Sequence, residues 1–164
     1  MKTIRRRRKE KKTDYGIRIK LLKSELPRLV FRKSNRYIIS QYVVSEEAKD
    51  KVVIGITSRV LMKYGWPEDM HGSLKSIPAS YLTGYFLGKK IIKEKLETPI
   101  LDIGMIRNVN KNRFFSFIKG LIDSGVDINS KKEVFPEEER IKGKNLKRDF
   151  SAMFVKIKNK IDGK

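Results

Sequence analysis

The stretch that most constrains the fold is residues 28–39, which read as strand, tight turn and strand. Leu29 and Phe31 alternate with residues of the opposite face, a pattern typical of a half-buried strand. Residues 34–35, Ser-Asn, favour a turn because asparagine tolerates positive φ and both side chains can bond nearby backbone. The residues that follow favour β-structure. The sequence therefore predicts a β-hairpin here.

The predicted turn gathers three cations, Arg32, Lys33 and Arg36, beside two small hydrogen-bonding side chains. A folded, two-stranded support that presents such groups suits the phosphate backbone of a nucleic acid. A solvated hairpin end with ordinary surface charge is the alternative. The distribution of charge along the chain favours the first interpretation.

The formal net charge of +20 is concentrated at the two ends of the 164-residue chain. Residues 1–36 hold 15 basic and 3 acidic residues, and residues 140–164 hold 9 and 2. The stretch between them is nearly balanced, with 15 basic and 14 acidic residues. A protein charged only for solubility would spread the excess. Cationic ends on a balanced body therefore indicate a polyanionic partner.

The length fits one domain with extensions. Hydrophobic residues make up 39% of the chain, which is enough for a core that uses only part of it. We expect a basic RNA-binding N-terminal extension at residues 1–26, an α/β core at 27–128 and a helical basic extension at 129–164.

Several chemistries are not expected from the composition. The chain has no cysteine, which excludes disulfides, thiolate nucleophiles and zinc–sulfur sites, and its single histidine cannot build a metal cluster. The longest prominent uncharged run, residues 76–88, has 13 residues, whereas a membrane span needs about 20. No apolar segment follows the basic N-terminus as it would in a secretory signal. We therefore expect no metal, no cofactor and no membrane partner.

Residues 1–12 form a dense run of like charge and are expected to be disordered until phosphates neutralise them. A localisation tag or a solubility tail is the alternative. Thr13 is a possible N-cap of a short basic helix that ends before Pro27. Tyr15 could stack on a base or pack beside this helix.

Further elements are predicted in chain order: strands at 37–44 and 52–57, a helix at 78–96, a strand at 98–104 and a helix at 110–124. The first three strands form an antiparallel meander, and strand–helix–strand predicts a right-handed crossover with a parallel pair. The apolar run at 52–57 is typical of a buried strand. Gly84 and Gly88 share a helix face and predict close backbone contact, most simply with the sheet. We expect a mixed sheet with helices on one or both faces.

Past Asp127 the chain is expected to leave the core. Pro136 with the following glutamates predicts a helix start. A basic helix then carries an apolar stripe formed by Leu146, Phe150, Met153, Ile157 and Ile161. Such a helix could bind RNA, a protein groove or a membrane surface, or dock on its own domain. Trp66, the only tryptophan, is expected to cover the core rather than stack on a base.

Short motifs occur in a fixed order over roughly residues 5–146: Arg5-Arg6-Arg7-Arg8, Lys12-Thr13-Asp14-Tyr15, Leu21-Leu22-Lys23-Ser24, Pro27-Arg28-Leu29-Val30, Arg32-Lys33-Ser34-Asn35, Tyr64-Gly65-Trp66, Pro78-Ala79-Ser80-Tyr81-Leu82-Thr83-Gly84 with Gly88, Leu101-Asp102-Ile103-Gly104 and Asp123-Ser124-Gly125. This ordered set resembles the archaeal form of the 5S-rRNA-binding protein of the large ribosomal subunit. That family is called L-eighteen in bacteria and archaea and L-five in eukaryotes. Gly16 and Asn129 depart from its usual pattern.

The resemblance implies a ribonuclease-H-like α/β core, no catalysis and a place in the large ribosomal subunit in the cytoplasm. The implied partners are 5S rRNA, 23S rRNA, the neighbouring 5S-binding protein of the bacterial L-five type and other large-subunit proteins of the central protuberance. No membrane and no small-molecule substrate are implied. The family's RNA-contacting N-terminus and hairpin map onto Arg5, Arg6, Arg7, Arg8, Thr13, Tyr15, Arg18, Arg28, Arg32, Lys33, Ser34, Asn35, Arg36 and Gln41, and the charge of the arm adds Lys9, Lys11 and Lys12.

Two other function classes remain open at this point. A nuclease would need several carboxylates that converge on two metals, yet the strand at residues 28–33 carries no acid. Asp102 stands alone and could equally be a hydrogen-bonded structural carboxylate. A basic protein that compacts DNA without regard to sequence is the other alternative.

Overall fold

A four-stranded mixed sheet forms the centre of the computed structural model, which describes residues 3–47, 49–146 and 149–163. The strands are β1 (Arg28–Lys33), β2 (Ile38–Glu46), β3 (Lys49–Thr57) and β4 (Ile100–Asp102), in the spatial order β3-β2-β1-β4. The first three strands form the predicted antiparallel meander, and β4 pairs in parallel with β1. The α/β class with a mixed sheet is thus confirmed. The crossover from β3 reaches the far edge of the sheet, so the parallel partner of β4 is β1 and not β3.

Six helices accompany the sheet in the described residues: α1 (Arg6–Lys9), α2 (Tyr15–Leu22), α3 (Ile77–Lys93), α4 (Arg113–Asp123), α5 (Glu138–Lys142) and α6 (Ser151–Ile161). Short 3-10 helices lie at Ser58–Tyr64, Glu68–Ser73 and Lys132–Val134. Side chains cap the two core helices, since Ser76 accepts from the N–H of Ala79 and Asn112 accepts from the N–H of Phe114. None of the described helices is long and apolar enough to cross a bilayer.

The predicted hairpin is confirmed, and the side chains of its first strand alternate between the two faces of the sheet. Leu29 and Phe31 are buried beneath α3 and α4, and the Phe31 ring lies 5.0 Å from the ring of Phe117. At the turn, the Ser34 hydroxyl accepts from the N–H of Tyr37 at 2.8 Å. Because side chains alternate along a strand, the neighbours of Leu29 and Phe31 point to the opposite face, which we call the outer face.

Helices α3 and α4 pack side by side in parallel through glycines. A Cβ atom on Gly84 would collide with the carbonyl of Phe117, and one on Gly120 would collide with the carbonyl of Tyr81. Nearer the N-termini, the Ser116 hydroxyl donates to the carbonyl of Ile77 at 2.9 Å. The predicted close contact exists, but its partner is α4 and not the sheet, because α4 lies directly against the glycine face of α3.

Strand β3 differs from its prediction as a buried strand. It forms an edge of the sheet, and Val52 and Val53 are 48% and 42% exposed. Only Ile54 and Ile56 of this strand are buried in the core. An apolar run cannot distinguish a central strand from an edge strand, since the position in the sheet depends on distant pairings. A bulge near Val43 also interrupts the pairing with β2.

The C-terminal region does not leave the core as expected. Phe150, Phe154 and Ile157 are buried in a second apolar cluster around α3, and the ring of Phe150 lies 4.5 Å from that of Trp66. Trp66 is 2% exposed, as its predicted role in covering the core requires. Helix α6 therefore docks on its own domain, the last of the alternatives for this segment. Lys147 and Arg148 of the predicted basic helix lie outside the described residues.

The glycine contact predicts a large effect of one methyl group. In a free helix Gly84→Ala would be favourable by about 1 kcal/mol. Here the added methyl overlaps the Phe117 carbonyl, so we expect a net loss of about 1–3 kcal/mol in the free energy of unfolding by urea titration. Gly72→Ala is the control, because a Cβ there meets nothing within 4 Å. A Gly84 variant as stable as the control would contradict the packing.

Candidate nucleic-acid interface

Residues 1–12 are predicted to be disordered in the free protein, and the first two of them lie outside the described residues. The structure gives the rest, residues 3–12, which we call the basic arm, a turn of helix, α1. Acids near the arm offset its self-repulsion. The Arg6 guanidinium lies 2.8 Å from the Glu10 carboxylate, and that of Arg8 lies 3.1 Å from the Asp14 carboxylate. These pairs are largely exposed, and exposed pairs contribute little to stability. The arm is therefore ordered only by weak contacts.

The start of α2 is capped by Asp14, and the prediction of Thr13 as the cap is wrong. The Asp14 carboxylate accepts from the N–H groups of Gly16 and Ile17 at 2.9 and 3.2 Å. The bond from Ile17, the bond from Gly16 and the guanidinium of Arg8 lower the pKa of Asp14. The Thr13 hydroxyl instead accepts from Arg7 Nε at 2.9 Å.

Tyr15, the first residue of α2, lies under the arm. The guanidinium carbon of Arg5 is 4.8 Å from the centre of its ring, within cation–π distance. This face of the ring is therefore occupied by the protein's own cation.

The outer face of the sheet carries an ion-pair network around Asp102. In the β1–β4 register Asp102 lies opposite Val30, so its carboxylate falls between Arg28 and Arg32. Arg28 Nη1 lies 3.1 Å from Oδ2 of Asp102, and Arg32 Nη2 lies 2.9 Å from Oδ1. The N–H of Gly104 donates to the same Oδ1 at 2.9 Å. Asp102 is thus a structural, hydrogen-bonded carboxylate.

Arg28 is the buried member of this network and is only 2% exposed. Its Nη2 donates to Oδ1 of Asp50 at 2.6 Å and to the Ser45 hydroxyl at 3.0 Å. Asp50 also accepts from Arg18 of α2 at 2.9 Å, which holds α2 over the outer face. Burial opposes ionisation of Asp50, but the hydrogen bonds from Ser45, Arg18 and Arg28 outweigh it and lower its pKa.

Arg32 is also committed to the protein, although its side chain is 39% exposed. Besides its ion pair, Nη1 donates to the carbonyls of Phe31 and Asp102, each at 2.8 Å. Arg28 and Arg32, both predicted RNA contacts, thus donate from their terminal guanidinium nitrogens to groups of the chain itself. The sequence offered no signal for this, because the carboxylates that bind them lie 22 and 70–74 residues away.

The other predicted residues divide by the contacts that they make. A cavity of about 110 Å³ brings arm, α2 and hairpin together, with Arg7, Lys12, Arg18 and Arg32 in its wall. Gln41 is half-buried on the outer face of β2, and Ser34 is used in the turn. Of the predicted site residues, the exposed ones for which the described part of the chain offers no side-chain partner are Lys9, Lys11, Lys33, Asn35 and Arg36.

Sequence reasoning missed two residues of this site. Asp50 is not among the predicted site residues, and the predicted cap is Thr13 rather than Asp14. An aspartate directly before the first residue of a predicted helix was a usable signal for the cap. For Asp50 no local signal existed.

The same geometry bears on the nuclease alternative. Both oxygens of Asp102 already accept from arginines, and the described residues contain no group of three or more His, Asp or Glu side chains arranged to hold a metal ion. Cations presented on a folded α/β support are typical of proteins that bind nucleic acid.

Comparison with known families gives the particular group. A model of the family described as "Ribosomal large subunit proteins 60S L5, and 50S L18" matches residues 1–99. The Large ribosomal subunit protein uL18 of Korarchaeum cryptofilum (strain OPF8) is 42% identical over 141 residues, which is 86% of this chain and 70% of the relative. The protein of the same name from Methanothrix thermoacetophila is 37% identical over 150 residues, 92% of this chain and 86% of the relative.

The chain belongs to this family of large-subunit ribosomal proteins. The resemblance found in the ordered motifs is thereby confirmed. Membership implies a structural, non-enzymatic role in the ribosome, with ribosomal RNA and other large-subunit proteins as partners.

Asp102 offers a direct test of the network. Asp102→Asn keeps the shape of the side chain but leaves the buried Arg28 with one carboxylate instead of two. We expect the free energy of unfolding to fall by about 2–4 kcal/mol, because the charge of the buried Arg28 is then only partly balanced, by Asp50. Asp127→Asn, at an exposed position, is the matched control. Equal stability of the two variants would show that the network does not hold the sheet together.

Proposed function

We propose that this protein binds 5S rRNA and anchors it to 23S rRNA in the central protuberance of the large subunit. The observation that carries the proposal is the hairpin tip. Lys33 and Arg36 are exposed and make no ion pair within the described residues, although a nearby carboxylate binds Arg32. Cations that the fold leaves unpaired on a rigid support are suited to the phosphates of a folded RNA.

The two parts of the interface act differently in this proposal. The hairpin fixes the register, with Lys33 and Arg36 on phosphates and Asn35 within reach of phosphate or 2′-hydroxyl groups. The arm supplies charge that is insensitive to sequence, and release of counterions from the RNA drives its binding. Its ion pairs, such as Arg6–Glu10, are exposed and can be exchanged for phosphate at small cost.

Arg28, Asp50 and Asp102 support this surface from below. The family resemblance implies that Arg28 contacts RNA. In this proposal the buried Arg28 instead holds β1 against β4 through its ion pair with Asp102. Arg32 and Arg18 link the same network to the surface. RNA binding then acts on a preformed site, which reduces the ordering entropy lost on association.

The proposal extends to the partners and the location. The neighbouring 5S-binding protein of the bacterial L-five type is the expected protein contact, and the cytoplasm is the expected location. Support for these comes from family membership alone.

A charge-matched pair of variants tests the hairpin. Lys33→Gln with Arg36→Gln should weaken 5S rRNA binding about tenfold and flatten the plot of log affinity against log salt by about 1.4–1.8, the value for two lost phosphate contacts. Lys51→Gln with Lys93→Gln removes the same charge from exposed positions elsewhere. Filter binding over a salt titration measures both. Equal loss in the two double variants would contradict a specific role of the hairpin.

A further inference from the structure

A free strand edge lies at the end of the sheet opposite to β4. Within the described residues β3 pairs only with β2, so one row of its backbone N–H and C=O groups has no partner strand. Natural sheets protect such edges with lysines, prolines or bulges, because an unprotected edge pairs with another chain. The first half of β3 follows this rule, since it carries Lys49 and Lys51 and lies beside the bulge near Val43.

The second half of β3, residues 53–57, has no charge and no proline. Its first residue, Val53, is 42% exposed. Gly55 is also exposed, and a Cβ there would meet only the Val52 side chain, at an ordinary contact distance of 3.7 Å. The fold itself therefore does not require a glycine at this position. A glycine within a strand often marks a place where another backbone approaches closely.

An open cavity of about 720 Å³ lies beside this unprotected half of the strand. Its wall is formed by the end of β3, the 3-10 helix at Ser58–Tyr64 and helix α3. Val60, Met62 and Phe86 give the wall an apolar part and are only half-buried. We call residues 53–57 together with this wall the β3 groove. A strand edge beside an apolar cleft is the arrangement in which an extended peptide adds a strand and places alternate side chains in pockets.

The charged side chains of the β3 groove are cationic. Arg59, Lys63 and Lys90 lie in its wall, and the described residues that line it include no acid. Lys90 Nζ lies 5.4 Å from the centre of the Phe86 ring, and none of the three cations has a carboxylate partner in the part of the chain that the structure describes. A second copy of this chain, with its net charge of +20, would bring like charges together at this edge. The charge of the groove is complementary to an acidic partner.

The chemistry of the edge favours a polypeptide over RNA. Backbone donors and acceptors alternate along a strand, and a second polypeptide strand matches both at the same spacing. The phosphates of RNA only accept hydrogen bonds, so they would leave the strand carbonyls unpaired and gain nothing from the apolar wall. The β3 groove is also separate from the cavity at the arm and hairpin, with which it shares no wall residue.

We propose that the β3 groove binds an extended acidic segment of another protein, which adds a strand to the sheet. The backbone of this segment pairs with residues 53–57, and its apolar side chains pack on Val60 and Phe86. Its carboxylates lie near Arg59 and Lys63. This inference goes beyond the proposed function, because none of these contacts involves RNA.

A defined peptide tests the pairing on the full chain. The probe is a fluorescein-labelled nonapeptide with a Val-Thr-Val-Thr-Val centre and two glutamates at each end. Two control peptides carry N-methyl groups on alternate central amides, each in one of the two possible frames. In one frame fluorescence anisotropy should show binding at least about tenfold weaker, and in the other frame a much smaller loss, because only alternate N–H groups face the neighbouring strand.

Two double variants of equal charge test the acidic contact. Arg59→Gln with Lys63→Gln should weaken binding of the unmethylated peptide at least about fivefold. Lys131→Gln with Lys156→Gln, at exposed positions elsewhere, should change it by less than about twofold. Thermal unfolding checks that each variant is folded. Amide shifts of the ¹⁵N-labelled wild type should change at residues 53–57 when peptide is added.

Several results would overturn the inference. These are absence of binding by the wild type at millimolar peptide, equal losses with the two methylation frames, equal losses in the two double variants, or amide shifts confined to the arm and hairpin. A uridine oligonucleotide that produces the same shifts at residues 53–57 would make the groove an RNA site. A dimer of the free protein that the peptide dissociates, measured by analytical ultracentrifugation, would make a second copy the occupant.

Discussion

The ion pairs of the Asp102 carboxylate with Arg28 and Arg32 are the interactions on which the rest of the structure depends. Strand β4 has only three residues, yet it closes one edge of the sheet. The Asp102 side chain reinforces that short pairing by binding two arginines of β1 at once. Because Arg28 is buried, its charge must be balanced locally, and Asp50 supplies the second carboxylate. The network thereby joins β1, β3, β4 and, through Arg18, helix α2.

This network divides the protein's cations into two groups. Arg28 and Arg32 are neutralised by the fold and position other groups. Lys33, Arg36 and most of the arm stay at the surface, where their charge is unpaired or held in weak, exposed pairs. The net charge alone does not show this division. A protein that binds RNA needs both groups, because free cations bind specifically only when their support is rigid.

The glycine contact between α3 and α4 has a similar consequence on the other side of the sheet. Gly84 and Gly120 let the helices approach in parallel, which brings their N-termini to the same end. Arg113 is presented there beside Arg140 from α5. The packing of the core therefore determines where Arg113 and Arg140 lie.

Local patterns were enough to predict the hairpin, α3, α4 and the arm of positive charge, since these depend on alternation, caps and turn residues near in sequence. The ordered motifs were enough for the family. Contacts between distant residues were not predictable: the burial of Arg28, the edge position of β3, and α4 as the partner of Gly84. Each of these depends on which elements become neighbours in three dimensions. The division at residues 26 and 128 stays a prediction, although residues beyond 128 share the core.

The central claim is that the arm and the hairpin recognise a folded RNA rather than any polyanion. A competition experiment at physiological salt tests it most directly, with labelled 5S rRNA bound to the protein and unlabelled 5S rRNA or duplex DNA of equal length as competitor. We predict that at least about 100-fold more DNA than 5S rRNA is needed to displace half of the label, since base and shape contacts add to the phosphate contacts. Equal competition by the two would contradict the account and indicate a protein that compacts DNA.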